Sequence, residues 1–295
     1  MSKFPQIEHH EAAGELKATF EDIEETLRVP WVAFACRVMS MFPGFLPKAF
    51  GAARAHFSTR HAERAADSLR RNALLPARGL RDPRPALRKW GWSEGKIAEL
   101  IGVLDAFNYG NPKYLLLITG WSEAIQGRHP HGKPLSAADA APLPRGRPGQ
   151  VTSLHHMVDE HAASPEVLRL YQRVKDLHFH HGPSSDYRLL ANYPDYLALA
   201  LEEAIAPVVR TPEYDRKQRD LIAEARGWVH SLPGPVGVEP GALDECAPRD
   251  IAGLTGLLFM YQRFIADITI DILRLKQAFD GDAAAAASPF APSWR

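Results

Sequence analysis

Cysteine is scarce in this sequence. Cys36 and Cys246 are its only two, far apart and in no Cys-x-x-Cys spacing. That argues against a thiol redox pair or a cysteine zinc site and fits two reduced thiols in a reducing compartment. Net charge is lacking too, with 35 Lys and Arg against 35 Asp and Glu. A basic face for nucleic acid is therefore not indicated, although a local positive pocket for a small anion is compatible with the balance. The start, Met1 to His10, has no basic stretch followed by an apolar run, so no signal peptide is expected. No continuous run nears the ~18 apolar residues of a membrane span. The expectation is a soluble, cytoplasmic protein with no membrane partner. Alternating strands bounded by Asn-Gly or Asp-Gly turns are also missing.

What is present reads as helix. Apolar residues make up 45% and charged residues 24% of 295, which suits one large packed domain or two of ordinary size. Ile97, Leu100, Ile101, Leu104 and Phe107 recur at helical spacing behind an N-cap segment starting at Ser93, and 254–279 reads similarly. The fold class is all-α. Residues 127–150 interrupt it with Gly127, Pro130, Gly132, Pro134, Pro142, Pro144, Gly146, Pro148 and Gly149. Proline lacks a backbone donor and clashes with the preceding turn, so this density cannot continue a helix. We read 127–165 as a linker between units at 1–126 and 166–295. The Ala-rich stretch running into Ser288 to Pro292 reads as a loosely held tail.

A central linker prompts a search for duplication. Arg37 to Leu46 matches Arg188 to Leu197: Arg, two apolar residues, a small one, a variable one, an aromatic, Pro, a variable one, an aromatic, Leu. Thr59, Glu63 and Arg64 line up with Thr211, Asp215 and Arg216, and Phe107 and Tyr109 with Phe259 and Tyr261. The offset is 151 at the first match and 152 at the others. The reading is two tandem helical repeats forming a pseudo-dimer, with a ligand cavity between them.

Departures from that symmetry point to chemistry. Ala35 stands two residues before Arg37, and Asp186 two before Arg188. The first copy offers Trp31, Phe34 and Ala35; the second offers Ser184, Ser185 and Asp186. Facing each other, they would give one apolar wall and one reactive wall. Tyr109-Gly-Asn111 aligns with Tyr261-Gln-Arg263. An amide such as Asn111 can hold a water from one side while a carboxylate takes its proton from the other.

Together, Ser184 to Asp186, Phe107 to Pro112, Pro30-Trp31 and the internal repeat resemble the group I 2-haloacid dehalogenases, the DehI family, over nearly the whole chain. The resemblance implies hydrolysis of 2-haloalkanoic acids to 2-hydroxy acids, with inversion at C2 and no ester intermediate. It implies Asp186 as the base, Asn111 as the water-holding amide, and Trp31, Phe34, Ser185, Tyr261, Phe264 and Ile265 at the pocket; Tyr109 is a further substrate-binding candidate. Thr59 and Glu63 match a Thr-x3-Glu pair associated with activity. Ser184 stands where the family's Ala goes with use of both enantiomers and Asn with restriction to the D form. Serine is nearer Ala in size, which points to both. The partners are a 2-haloacid and water, with a homodimer allowed; no metal or organic cofactor is required.

Each residue also has a plainer reading. Asp186 could sit in a helix first turn with Ser184 and Ser185 as caps. Asn111 could be a turn residue before Pro112. The aromatics, Tyr109 included, could be core, and Thr59 and Glu63 a structural cluster. His178, His180 and His181, with His155 and His156 upstream, precede Gly182-Pro183 and read as a solvated surface run rather than a metal site. The alternative function is an AhpD-like helical protein without the redox cysteines, binding small acids or acting as a different cofactor-free hydrolase. A histidine-based metal hydrolase is a further alternative.

Overall fold

The computed structural model describes residues 5–148 and 157–290. Among them it is built from helices, with no strand beyond a single bridge between Thr59 and Pro142. In chain order they are α1 (Gly14–Leu27), α2 (Phe34–Met39), α3 (Phe45–Phe57), α4 (Arg60–Asn72), α5 (Arg84–Lys89), α6 (Glu94–Ile125) and α7 (Ala137–Ala140). After these come α8 (Pro165–His178), α9 (Ser185–Leu190), α10 (Pro194–Ala200), α11 (Pro212–His230) and α12 (Pro248–Ala286). A π turn, Leu201–Ile205, continues α10. His155 and His156 lie outside the described residues.

Helices α6 and α12 form the central pair, flanked by α4 and α11. The Ser93 hydroxyl accepts the Lys96 N–H to start α6, as its position suggested. From Ala106 to Ile125 every α6 residue is buried, because the helix is packed on all sides. Gln262 on α12 donates to Thr119 on α6 (2.9 Å), a buried polar tie between the two.

Matched sequence positions have matched local roles. Thr59 caps α4 and Thr211 caps α11, each hydroxyl accepting the N–H three residues on. Arg28 and Phe179, which end α1 and α8, share a left-handed conformation at the same offset of 151 (φ 63° and 57°). Arg37 and Arg188 both reach Glu8, at 3.4 and 3.3 Å. The two halves also exchange neighbours: α2 packs on α12, and α9 packs on α6.

The Pro/Gly segment after α6 is pinned rather than free. Its backbone bonds to the α3–α4 corner (Leu143 N–H to Ser58 O, 2.7 Å) and to the end of α11 (Gly132 N–H to Leu232 O, 3.0 Å). At Gly132 a Cβ would lie 1.8 Å from the Ser231 carbonyl oxygen, so only glycine permits this approach.

Three expectations are corrected. Asn111 is no turn residue, because α6 runs straight through Pro112. Proline there leaves the Asn108 carbonyl without its helical donor, and the buried Arg70 guanidinium fills the gap (Nε to Asn108 O, 2.8 Å). The described part of the Ala-rich end, to Phe290, is not loose: it is helical beyond a kink at Gly281 (φ 77°), Asn108 donates to Ala285 O (2.9 Å), and Phe290 packs edge-on against Tyr109, while 291–292 lie outside the described residues. Finally, α12 is long and apolar enough to cross a membrane by length and composition, with mean hydropathy 1.2 in its best window. A scan for continuous apolar runs misses it because charges interrupt the run. Of those charges, Asp267, Asp271, Arg274 and Lys276 are buried inside this fold, while Arg263 is exposed.

Candidate active site

The six-residue helix α9 begins after the extended Ser184 and carries Asp186 in its first turn. Asp186 is 2% exposed and lies against the middle of α6. Asn111 Nδ2 donates to Asp186 Oδ1 at 2.7 Å. Sequence reasoning put a water between amide and carboxylate; here they touch directly. Burial pushes the Asp186 carboxyl up to about 7, opposed by hydrogen bonds from Asn111, its own backbone N–H and Ser184, and assisted by the Asp271 charge. An unperturbed aspartate would be fully ionised at neutral pH.

Around this pair lies a small cavity of about 40 Å³ that opens to solvent. Trp31, Phe34 and Ala35 come from the first half of the chain and Ser184, Ser185 and Asp186 from the second, so the expected two walls meet. Tyr261, Phe264 and Ile265 complete the apolar lining. Trp31 packs edge-on against Phe107 (4.6 Å), and its carbonyl accepts the Tyr114 hydroxyl (2.5 Å). A Cβ at Gly110 would lie 2.3 Å from Trp31 Cη2, so the glycine beside Asn111 is what lets the indole lie against α6. The Ser185 hydroxyl is buried with no protein partner, which leaves it for a ligand.

Three predicted residues stay outside the lining. Tyr109 lies in the core, where the Lys113 ammonium sits 3.5 Å from its ring centre and the Glu63 charge helps hold its hydroxyl protonated. Glu63 pairs with Lys113 at 2.9 Å in the interior. Lys113 also donates to Leu27 O (2.9 Å), so the pair ties α4, α6 and the end of α1 together. Thr59 caps α4. Breaking a buried pair strands the other charge. Glu63→Gln is therefore expected to cost about 3–5 kcal/mol, read as a lower denaturant midpoint, with activity falling as the folded fraction falls.

The histidines are not a solvated run. His178 and His180 are buried and paired with aspartates one turn apart on α12, His178 with Asp271 (3.0 Å) and His180 with Asp267 (3.1 Å). Tyr187 (2.6 Å) and Tyr214 (3.0 Å) also donate to Asp271, and Gln218 donates to Asp267. His178, His180 and Asp267 could hold a metal by proximity, their ligand atoms lying within 4.8 Å of one another. Yet all four oxygens of the two carboxylates already accept protein hydrogens, and the cluster closes as a hydrogen-bonded network. His180 and His181 line the cavity, as do Tyr114, Ala33 and Ile268. Sequence reasoning missed all five. The signal for the histidines was available, because the same offset sets His180-His181 against Val29-Pro30.

A helical scaffold thus encloses a buried carboxyl, held by an amide, in a mainly apolar cavity of small-molecule size. The family model described as halocarboxylic acid dehydrogenase DehI matches residues 30–187. A configuration-inverting 2-haloacid dehalogenase of Alcaligenes xylosoxydans xylosoxydans is 49% identical, over 97% of both chains. Another of that description, from Pseudomonas sp. (strain 113), is 47% identical over 95% of this chain and 92% of its own. The crystal structure of a D-2-haloacid dehalogenase mutant superposes with a TM-score of 0.87 at 26% identity, covering 94% of this chain and 96% of that one. The chain belongs to the DehI family, the group I 2-haloacid dehalogenases.

Proposed function

We propose that the chain hydrolyses short 2-haloalkanoic acids to 2-hydroxy acids, with inversion at C2, by direct attack of a water that Asp186 deprotonates. The observation that carries this reading is the buried Asp186 held at 2.7 Å by Asn111 inside a cavity with mainly apolar walls. Asn111 donates to Oδ1 of the carboxylate, and the water proton goes to the same carboxylate. The amide oxygen of Asn111 can accept the second hydrogen of the same water. As the water oxygen bonds to C2, its proton passes to Asp186 and the carbon–halogen bond breaks, with halide leaving from the opposite face. The apolar wall of Trp31, Phe34 and Ile265 orients the carbon and excludes bulk water, and alignment of this kind lowers barriers by several kcal/mol. The Ser185 hydroxyl is the donor we assign to the substrate carboxylate or the departing halide. The reading requires no metal or organic cofactor.

The architecture we propose is a pseudo-dimer of units 1–126 and 166–295, joined by the 127–165 linker. Its support is the paired caps, the paired left-handed corners, the convergence of Arg37 and Arg188 on Glu8 and the exchange of α2 and α9 between halves. Ser184 at the mouth leaves room for either configuration at C2, so we propose that both enantiomers react.

The test is halide release from each enantiomer of 2-chloropropionate by the purified protein. The reading expects chloride from both, unaffected by EDTA, and a 2-hydroxy acid of opposite configuration. Single turnover in H₂¹⁸O with excess enzyme is expected to label the product; unlabelled product would mean an ester on the protein and would sink direct water attack.

A further inference from the structure

We propose that His181 closes the mouth of the cavity and sets the longest acid chain that the site admits. The inference rests on the dehalogenase reading above for its substrate class. Most lining residues are buried, Trp31, Asn111, Tyr114, Ser185, Asp186 and Ile265 among them. The partly exposed ones are Phe34, His181, Gly182, Ser184 and Phe264, so these form the mouth.

Three of those five are rings in a stack. The Phe34 and His181 centroids are 5.5 Å apart with planes at 28°, and the His181 and Phe264 centroids are 5.5 Å apart at 25°. Tyr261 stands edge-on to all three, at 81°, 79° and 89°. His181 is therefore the middle ring, filling the gap between two phenylalanines contributed by α2 and α12. Removing it leaves a slot of up to about 11 Å between their centres, where an alkyl chain, with carbon contacts at about 4 Å, can pass.

The chemistry of the ring suits a plug better than an anion holder. Burial, then the neighbouring His180 and Lys175, push the His181 imidazole down to about 4, so at neutral pH it is uncharged and stacks as an aromatic. Its neighbour His180 is fixed, bonded to Asp267 and stacked on Phe264 at 3.8 Å. His181 contacts the Tyr261 hydroxyl at 3.4 Å, the long end of hydrogen-bond range.

The test compares wild type, His181→Ala and His181→Phe on 2-bromopropionate and 2-bromohexanoate. His181→Ala is expected to raise the ratio of kcat/KM for the six-carbon over the three-carbon acid by at least tenfold. His181→Phe, which restores a ring without the polar contact, is expected to hold the ratio at or below that of wild type. An unmoved ratio in His181→Ala, or an equal rise in both variants, overturns the proposal. Calorimetric binding of hexanoate against propionate asks the same question without turnover, with the same tenfold expectation. A wild type that releases no halide would thus defeat the dehalogenase reading while the calorimetry still decides the role of His181.

Discussion

Asp186→Asn is expected to lower halide release by about 10²–10⁴-fold, the range for a positioned general base. The two side chains have the same shape, and the amide oxygen introduced by the substitution can still accept the 2.7 Å bond that Asn111 now gives the carboxylate. An amide cannot take the proton of the attacking water, so only the chemistry is lost. Stability should move the other way. The folded carboxyl sits at about 7 against an unfolded value near 3.8, so the unfolded chain loses its proton first as pH rises. The wild type thus forfeits stability between about pH 4 and pH 7, and the amide variant does not. Thermal midpoints of the two proteins should diverge across that window, the variant being the more stable at pH 8. Unchanged chloride release from a folded variant would end the assignment of Asp186 as base.

Asn111→Ala is expected to move the pH profile. In the wild type, kcat/KM follows the ionised fraction of Asp186. It should climb about tenfold per pH unit on the acid side, bend near pH 7 and then level off. The groups that bear on this carboxyl are Asn111 and Ser184, which favour the charge, and Asp271, which opposes it. His180 and His181 share the cavity but are both held below the usual histidine range by burial. Hydrogen bonds to charged groups contribute about 1.5–3 kcal/mol, which corresponds to about one to two pH units. Without Asn111 the bend should therefore shift upward by that amount. Activity at pH 7 should fall roughly 5–50-fold and recover in part toward pH 9. A loss of the same size at every pH would show that Asn111 acts on the water and not on the carboxylate.

Local signals in the sequence were legible where the physics is local. The helical spacing behind Ser93 identified α6, and the constant offset between matched segments brought Trp31–Ala35 and Ser184–Asp186 to one cavity. Failures came where a distant partner reverses a local preference. Pro112 argued for a turn, and only Arg70, from another helix, makes a helix tolerable there. The histidines beside Gly182-Pro183 looked solvated because their aspartates lie 87 and 93 positions away. Tyr109 was expected at the pocket. It lies instead beside Lys113, paired with Glu63, whereas Ile265, at the sequence position matched with Lys113, lines the cavity.

Breaking a carbon–halogen bond with water liberates hydrogen halide, so every turnover adds an acid equivalent to the surrounding volume. With Asp186 as the proposed base, its carboxyl raised by burial to about 7, that acid would act back on the catalyst. In weakly buffered surroundings the reaction would slow as its own output accumulates and resume once the protons are carried away.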